Sequence, residues 1–135
     1  MNVLLLDNDK ERLGRVAEAL GMVNSACKIT AMDSLVDAEE ALTSFETSYD
    51  LAIVGPDLPE NPIPAVRFLR RLSPQTRVVA YDAFGLYDEI RLQRILLAGA
   101  NMVFDIRMAP LKIALLLRPL LEPFGMLSRA SFLAA

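Results

Sequence analysis

The chain has 135 residues, 53% of them apolar, a mean hydropathy of +0.34 and a formal net charge of −3. That length suits one domain with one core, and the apolar share excludes a disordered chain. With 17 carboxylates against 14 cations, nothing steers the chain toward DNA, RNA or an anionic membrane.

Strand and helix patterns alternate from the start. Residues 2–6 read as a fully buried strand. Asp9 then suits the N-cap of a helix carrying Leu13, Val16, Ala17 and Leu20 on one face, with Gly21 at its end. Residues 27–31 read as a second strand, in which Cys27 packs. A single cysteine cannot form an internal disulfide, which fits a reducing compartment, and the chain has no histidine to activate the thiol. Asp33 or Ser34 caps a second helix with Leu35, Ala38, Leu42 and Phe45 on one face. Residues 51–54 form a third strand.

Pro56, Pro59, Pro62 and Pro64 mark a loop, and Pro64 suits the first turn of a helix with Val66, Leu69 and Leu72 inward. Residues 78–81 read as the fourth strand and 86–98 as the fourth helix. Residues 102–105 give a fifth strand, and 109–121 a fifth helix. Five such βα units with short connections predict an α/β fold with a parallel sheet covered on both faces. Residues 1–122 are expected to form this domain, and 123–135 a tail that is a short helix or the start of a linker. The opening apolar run is short and followed by acids, unlike a secretory signal. Ile113 to Leu117, between Lys112 and Arg118, falls far below the ~20 residues a bilayer span needs. A cytoplasmic protein without membrane contact is expected.

Sites in parallel α/β sheets form at the carboxyl ends of the strands. Here Val3-Leu4-Leu5-Leu6 runs into the acidic Asp7-Asn8-Asp9, whereas Leu51-Ala52-Ile53-Val54 runs into Gly55-Pro56, which bears no reactive side chain. The first of these stretches resembles the opening of a response-regulator receiver domain. The segment from Tyr49 to Pro59 resembles that family's third strand and following loop, and Gly99-Ala100 fits the approach to its fifth strand. The resemblance covers roughly residues 2 to 121. It implies a flavodoxin-like sheet of order 2-1-3-4-5 and a role in bacterial two-component or phosphorelay signalling.

Carried over position by position, the resemblance puts the phosphate-accepting aspartate on Gly55 and the metal-binding acidic pair on Asp7 and Asn8. The hydroxyl residue ending the fourth strand falls on Asp82. The lysine after the fifth strand falls on Ile106, or near Arg107 with a one-residue slip, and the aromatic switch on Val103 or Phe104. Phosphoryl transfer needs a nucleophilic oxygen, a metal held by carboxylates and donors for the transferred oxygens. A pseudo-receiver without phosphorylation or catalysis is therefore expected. No cofactor is called for: Mg²⁺ has only Asp7 as a weak candidate ligand. Asp7, Asp9, Asp57 and Asp82 are expected to meet as like charges at one sheet edge.

Asp57 could accept phosphate in place of Gly55, but it lies two residues past the strand end. The Asp7-Asn8-Asp9 pattern also resembles Mg-dependent haloacid-dehalogenase-type phosphatases, with Asp7 as nucleophile and Asp9 as general acid; the later motifs of that family are missing. A flavodoxin-type flavin site would place phosphate against these same carboxylates. Arg67, Arg70, Arg71 and Arg77 read as a solvated helix face, so this chain itself is expected to contact no nucleic acid.

The final helix is almost wholly apolar. Leu111, Ala114, Leu115 and Leu121 are expected to face the sheet, leaving Ile113, Leu116, Leu117 and Leu120 as an outward surface. That surface predicts a protein partner or attached output domain, and the resemblance to receiver domains implies a symmetric homodimer through the last two helices. The alternative is that the apolar tail folds back over it.

Overall fold

The computed structural model describes residues 1–44, 48–56, 62–83 and 88–121. The strands are β1 (Asn2–Leu6), β2 (Lys28–Met32), β3 (Leu51–Val54), β4 (Arg77–Asp82) and β5 (Met102–Asp105). They alternate with α1 (Lys10–Val23), α2 (Leu35–Thr43), α3 (Pro62–Leu72), α4 (Glu89–Leu97) and α5 (Pro110–Leu121). All strand pairs are parallel, in the order β2-β1-β3-β4-β5. This is the doubly wound architecture expected from the alternation of patterns.

Strand alternation divides the core. Val3, Leu5, Leu51, Ile53, Val79, Tyr81 and Phe104 pack with α1 and α5 on one face. Leu4, Leu6, Ala52, Val54, Val78 and Ala80 pack with α2, α3 and α4 on the other. β1 and β3 are buried along almost their whole length, so they read as continuous apolar runs instead of alternating ones.

Local signals set several boundaries. Asp9 caps α1 by accepting from the Arg12 N–H at 3.0 Å, and Ser34, not Asp33, caps α2 through the Asp37 N–H at 3.2 Å. α1 does not stop at Gly21; it runs on to Val23, where Val23 packs against the core. Cys27 lies just before β2 and packs against the same core, where burial pushes its thiol up, away from the reactive thiolate.

Two sequence expectations fail. Arg70 is not part of a solvated face. Its guanidinium donates to the carbonyls of Gly99 at 2.6 Å and Thr76 at 2.9 Å and to the Asn101 side chain, tying α3 to the turn before β5. Gly99 is left-handed, with φ +122°, and a β-carbon there would come within 2.6 Å of the Arg70 stem. The outward surface of α5 is also reassigned. Ile113 and Leu117 are fully buried against the sheet, whereas Leu111 and Leu115 are about 60% exposed. Packing of α5 against α1 selects the stripe of Ile113, Ala114, Leu117 and Leu121 for the core. Leu116 is on the outside as expected, and Leu120 is half-buried. The tail, 122–135, lies outside the described residues, as does Phe45.

Candidate functional site

The site lies where β1, β3 and β4 end. Leu6 is paired with Val54 and Val54 with Ala80, so the next row across the sheet is Asp7, Gly55 and Tyr81. The Gly55 N–H donates to the Leu6 carbonyl at 2.7 Å, which holds Gly55 tightly beside β1. β4 continues to Asp82, and Tyr81 pairs with Phe104 on β5. Period-two alternation turns the side chains of Asp7, Tyr81 and Phe104 to the face covered by α1 and α5.

Asp7 is fully buried, and both its oxygens are engaged. Arg12, in the first turn of α1, grips it with two donors: Nε to Oδ2 at 2.9 Å and Nη2 to Oδ1 at 3.0 Å. The Tyr81 hydroxyl donates to Oδ2 at 2.6 Å, and the Asp9 N–H to Oδ1 at 3.1 Å. Burial alone would raise the carboxyl pKa. The hydrogen bonds from Arg12, Tyr81 and Asp9, with the charge of Arg12, outweigh it and hold the group below its ordinary range. Burial, and then the bond to the Asp7 carboxylate, push the Tyr81 hydroxyl far above the usual phenol range, so it remains a donor.

Gly55 belongs to this arrangement. A β-carbon on residue 55 would overlap the Asp7 carboxylate and approach even the Asp7 Cβ to 2.9 Å. The volume in which a nucleophilic side chain at position 55 would begin is filled by Asp7 itself. Arg12 supplies positive charge to Asp7 from within the chain.

The expected crowd of like charges does not form among the described residues. Asp82 is buried and pairs with Arg91 of α4, while its other oxygen accepts from the Ala83 N–H at 2.7 Å. Asp9 is taken up in capping and lies 3.6 Å from Arg12. Asp57 lies outside the described residues. Asn8 is exposed, and Ile106 is buried in the α1–α5 core, its N–H donating to the Asp82 carbonyl at 3.0 Å. Arg107, the slipped alternative, is exposed and engaged with Asp105. Phe104, not Val103, stacks on Tyr81, with ring centroids 5.3 Å apart.

Sequence reasoning missed Arg12, Tyr81 and Arg91. The signals were an arginine in the first turn after an acidic strand end, and a tyrosine on a buried strand whose hydroxyl must find a partner. No group of three or more His, Cys, Asp or Glu among the described residues is arranged to hold a metal ion. No helix among them is long and apolar enough to cross a membrane.

No protein-family model matches the sequence, and no curated protein is significantly similar to it. The fold does have solved counterparts. A two-component response regulator from Clostridium difficile superposes with a TM-score of 0.76 at 13% identity, over 93% of this chain and 98% of that one. The BeF3-activated receiver domain of DrrB, a Thermotoga maritima protein, gives 0.70 at 18% identity, over 90% and 97%. NtrX from Brucella abortus gives 0.76 at 14% identity, over 98% of this chain but 29% of its own length. The doubly wound domain therefore has the fold of response-regulator receiver domains.

Proposed function

We propose that this chain is a pseudo-receiver: a receiver-like signalling module that takes no phosphoryl group and acts through protein–protein contacts. The observation that carries this reading is the packing of Asp7 over Gly55, held by Arg12 and Tyr81. A receiver's chemistry needs a carboxylate nucleophile and acidic ligands free to bind a metal. Here position 55 has no side chain, and a cation would have to displace a two-donor arginine from Asp7. Asp82 pairs with Arg91 where a transferred phosphoryl group would need a donor.

The same contacts count against the phosphatase alternative. A nucleophilic Asp7 needs a free oxygen aimed at substrate, and both of its oxygens are engaged inside the fold. The module is read as non-enzymatic, without a cofactor, and as working in the cytoplasm. Its partner is another protein, an output domain or a second copy. Exposed Ile90 and Leu97 on α4, with Leu111 and Leu115 on α5, support a contact surface beside β5.

The test is incubation with acetyl phosphate and Mg²⁺, followed by intact-mass measurement. The expected result is no phosphoryl adduct. An adduct lost in Asp57→Ala would establish phosphorylation at the non-standard aspartate instead. Turnover of a generic phosphomonoester, abolished by Asp7→Asn, would establish the phosphatase.

A further inference from the structure

We propose that the chain associates head to tail, the β5 edge of one copy docking into an acidic cleft at the β2 edge of the next. This rests on the reading of the module as one that works by protein contact, and it names the partner as a second copy. The cleft, about 680 Å³, opens at the carboxyl end of β2 between α1 and α2. Leu13, Met32 and Ala41 supply its apolar lining, and the exposed Asp33, Asp37 and Glu40 its acidic rim. Lys10 is the one basic group in the lining, and the charge of Asp7 at its inner end is already met by Arg12.

The complementary surface lies on the opposite edge of the same molecule. α4 and α5 flank edge strand β5 and expose Leu97 (86%), Ile90 (66%), Leu111 (61%) and Leu115 (60%). Exposed Arg94 and Lys112 sit on the same two helices. The charge of the whole chain follows this division. Residues 1–50 hold ten acidic and four basic side chains, a net of −6, whereas residues 51–135 hold seven and ten, a net of +3. The elements at the two edges carry this difference: residues 28–43, of β2 and α2, hold four acidic and one basic side chain, a net of −3, whereas residues 89–121, of α4, β5 and α5, hold two and five, a net of +3. One edge is acidic around a cleft, and the other is basic around a set of exposed aliphatic side chains.

Symmetry decides which pairing uses both surfaces. A two-fold pair through the β5 edges brings together two surfaces of net positive charge, with Glu89 as the exposed acid on α4. A two-fold pair through the clefts brings together two acidic rims. Head-to-tail contact sets opposite charges together and buries Leu97 and its neighbours against Leu13 and Met32. Such a contact leaves one free surface at each end, so it produces rings or open chains instead of stopping at two.

Sedimentation equilibrium on the full chain tests this with two one-sided variants. Leu97→Ser with Arg94→Ser blocks the β5 edge, and Asp37→Lys with Glu40→Lys blocks the cleft, so that the two altered surfaces do not complement each other. All four positions are exposed, and circular dichroism checks that each variant is folded. Wild type is expected to exceed the mass of two chains as concentration rises, and to fall back toward one in high salt. Each variant alone is expected to be monomeric, and an equimolar mixture to form a dimer and nothing larger. A wild type that stops at two chains, with the cleft variant still dimeric, overturns the proposal in favour of a symmetric β5-edge dimer. So does a mixture that stays monomeric, or a wild type that is monomeric at every concentration. None of these results bears on phosphorylation, which the acetyl phosphate experiment reads separately.

Discussion

The carboxylate of Asp7 fills the space that a side chain at Gly55 would enter, so the two residues specify each other. Gly55 lets Asp7 lie inward on Arg12 and Tyr81, and Asp7 in that position tolerates only glycine beside it. Gly55→Ala is accordingly expected to destabilise the domain by about 1–3 kcal/mol, the usual cost of overpacking. In urea denaturation, a cycle with Asp7→Ala should show that part of this cost vanishes once the carboxylate is gone. Strictly additive losses would mean that the two sites are independent.

Gly55→Asp adds a carboxylate at the end of β3 without making room for it. The new carboxylate must displace Asp7 or turn away from it, and Arg12 still occupies the Asp7 oxygens. No acetyl-phosphate-dependent adduct is expected in this single variant, by intact mass. Efficient labelling of it would show that Arg12 and Tyr81 yield readily to a metal.

Asp7 and Tyr81 should mark the pH profile at opposite ends. The Asp7 pKa is lowered on folding, so its contribution to stability is fully present above the unfolded carboxyl value of about 3.9. It is lost as pH falls through the depressed folded value. Tyr81 is raised on folding, so its contribution is present below about pH 10 and lost as pH climbs beyond. Thermal melts across pH should therefore show acid destabilisation that weakens in Arg12→Leu, and alkaline destabilisation that Tyr81→Phe removes. An alkaline limb unchanged in Tyr81→Phe would assign it to another group.

As one of several like charges at the sheet edge, Asp82 would be a repulsive group whose removal stabilises. Its pairing with Arg91 reverses that expectation. Asp82→Thr should cost about 1 kcal/mol; the value is modest because Arg91 is 40% exposed and can return to water. Equal stability of Asp82→Thr and wild type in chemical denaturation would show that the pair contributes nothing.

Arg70→Ala should destabilise by about 2–3 kcal/mol, because the buried side of the Gly99 turn loses a charged donor shared among several acceptors. Lysine should rescue little, since one ammonium cannot reproduce the planar fork. Hydrogen exchange at Asn101 and Val78 is the direct readout, and protection unchanged in Arg70→Ala would count against the staple.

Much of the fold was legible because its causes are local. Apolar periodicity, the Asp9 cap and the prolines after β3 act over a few residues, and they placed ten elements; the sheet order came from the family resemblance. Gly55, Asp7 and Asp82 could be assigned to one edge by spacing alone. What those residues do there depended on partners far away in the chain: Tyr81 is 74 residues from Asp7 and reaches it only through the order β1-β3-β4 and its register. The α5 surface went wrong for a related reason. A helix apolar on nearly every side allows more than one inward stripe, and only its packing on α1 buries Ile113 and Leu117 and exposes Leu111 and Leu115. The sequence by itself determined the elements, the parallel α/β architecture and a glycine without a side chain at the end of β3, because these follow from short-range pattern and residue type. The tertiary structure alone decided that Arg12 takes the charge of Asp7, that Arg91 takes that of Asp82, and which leucines meet solvent. Ion pairs and buried faces depend on distance in space, which sequence separation does not encode.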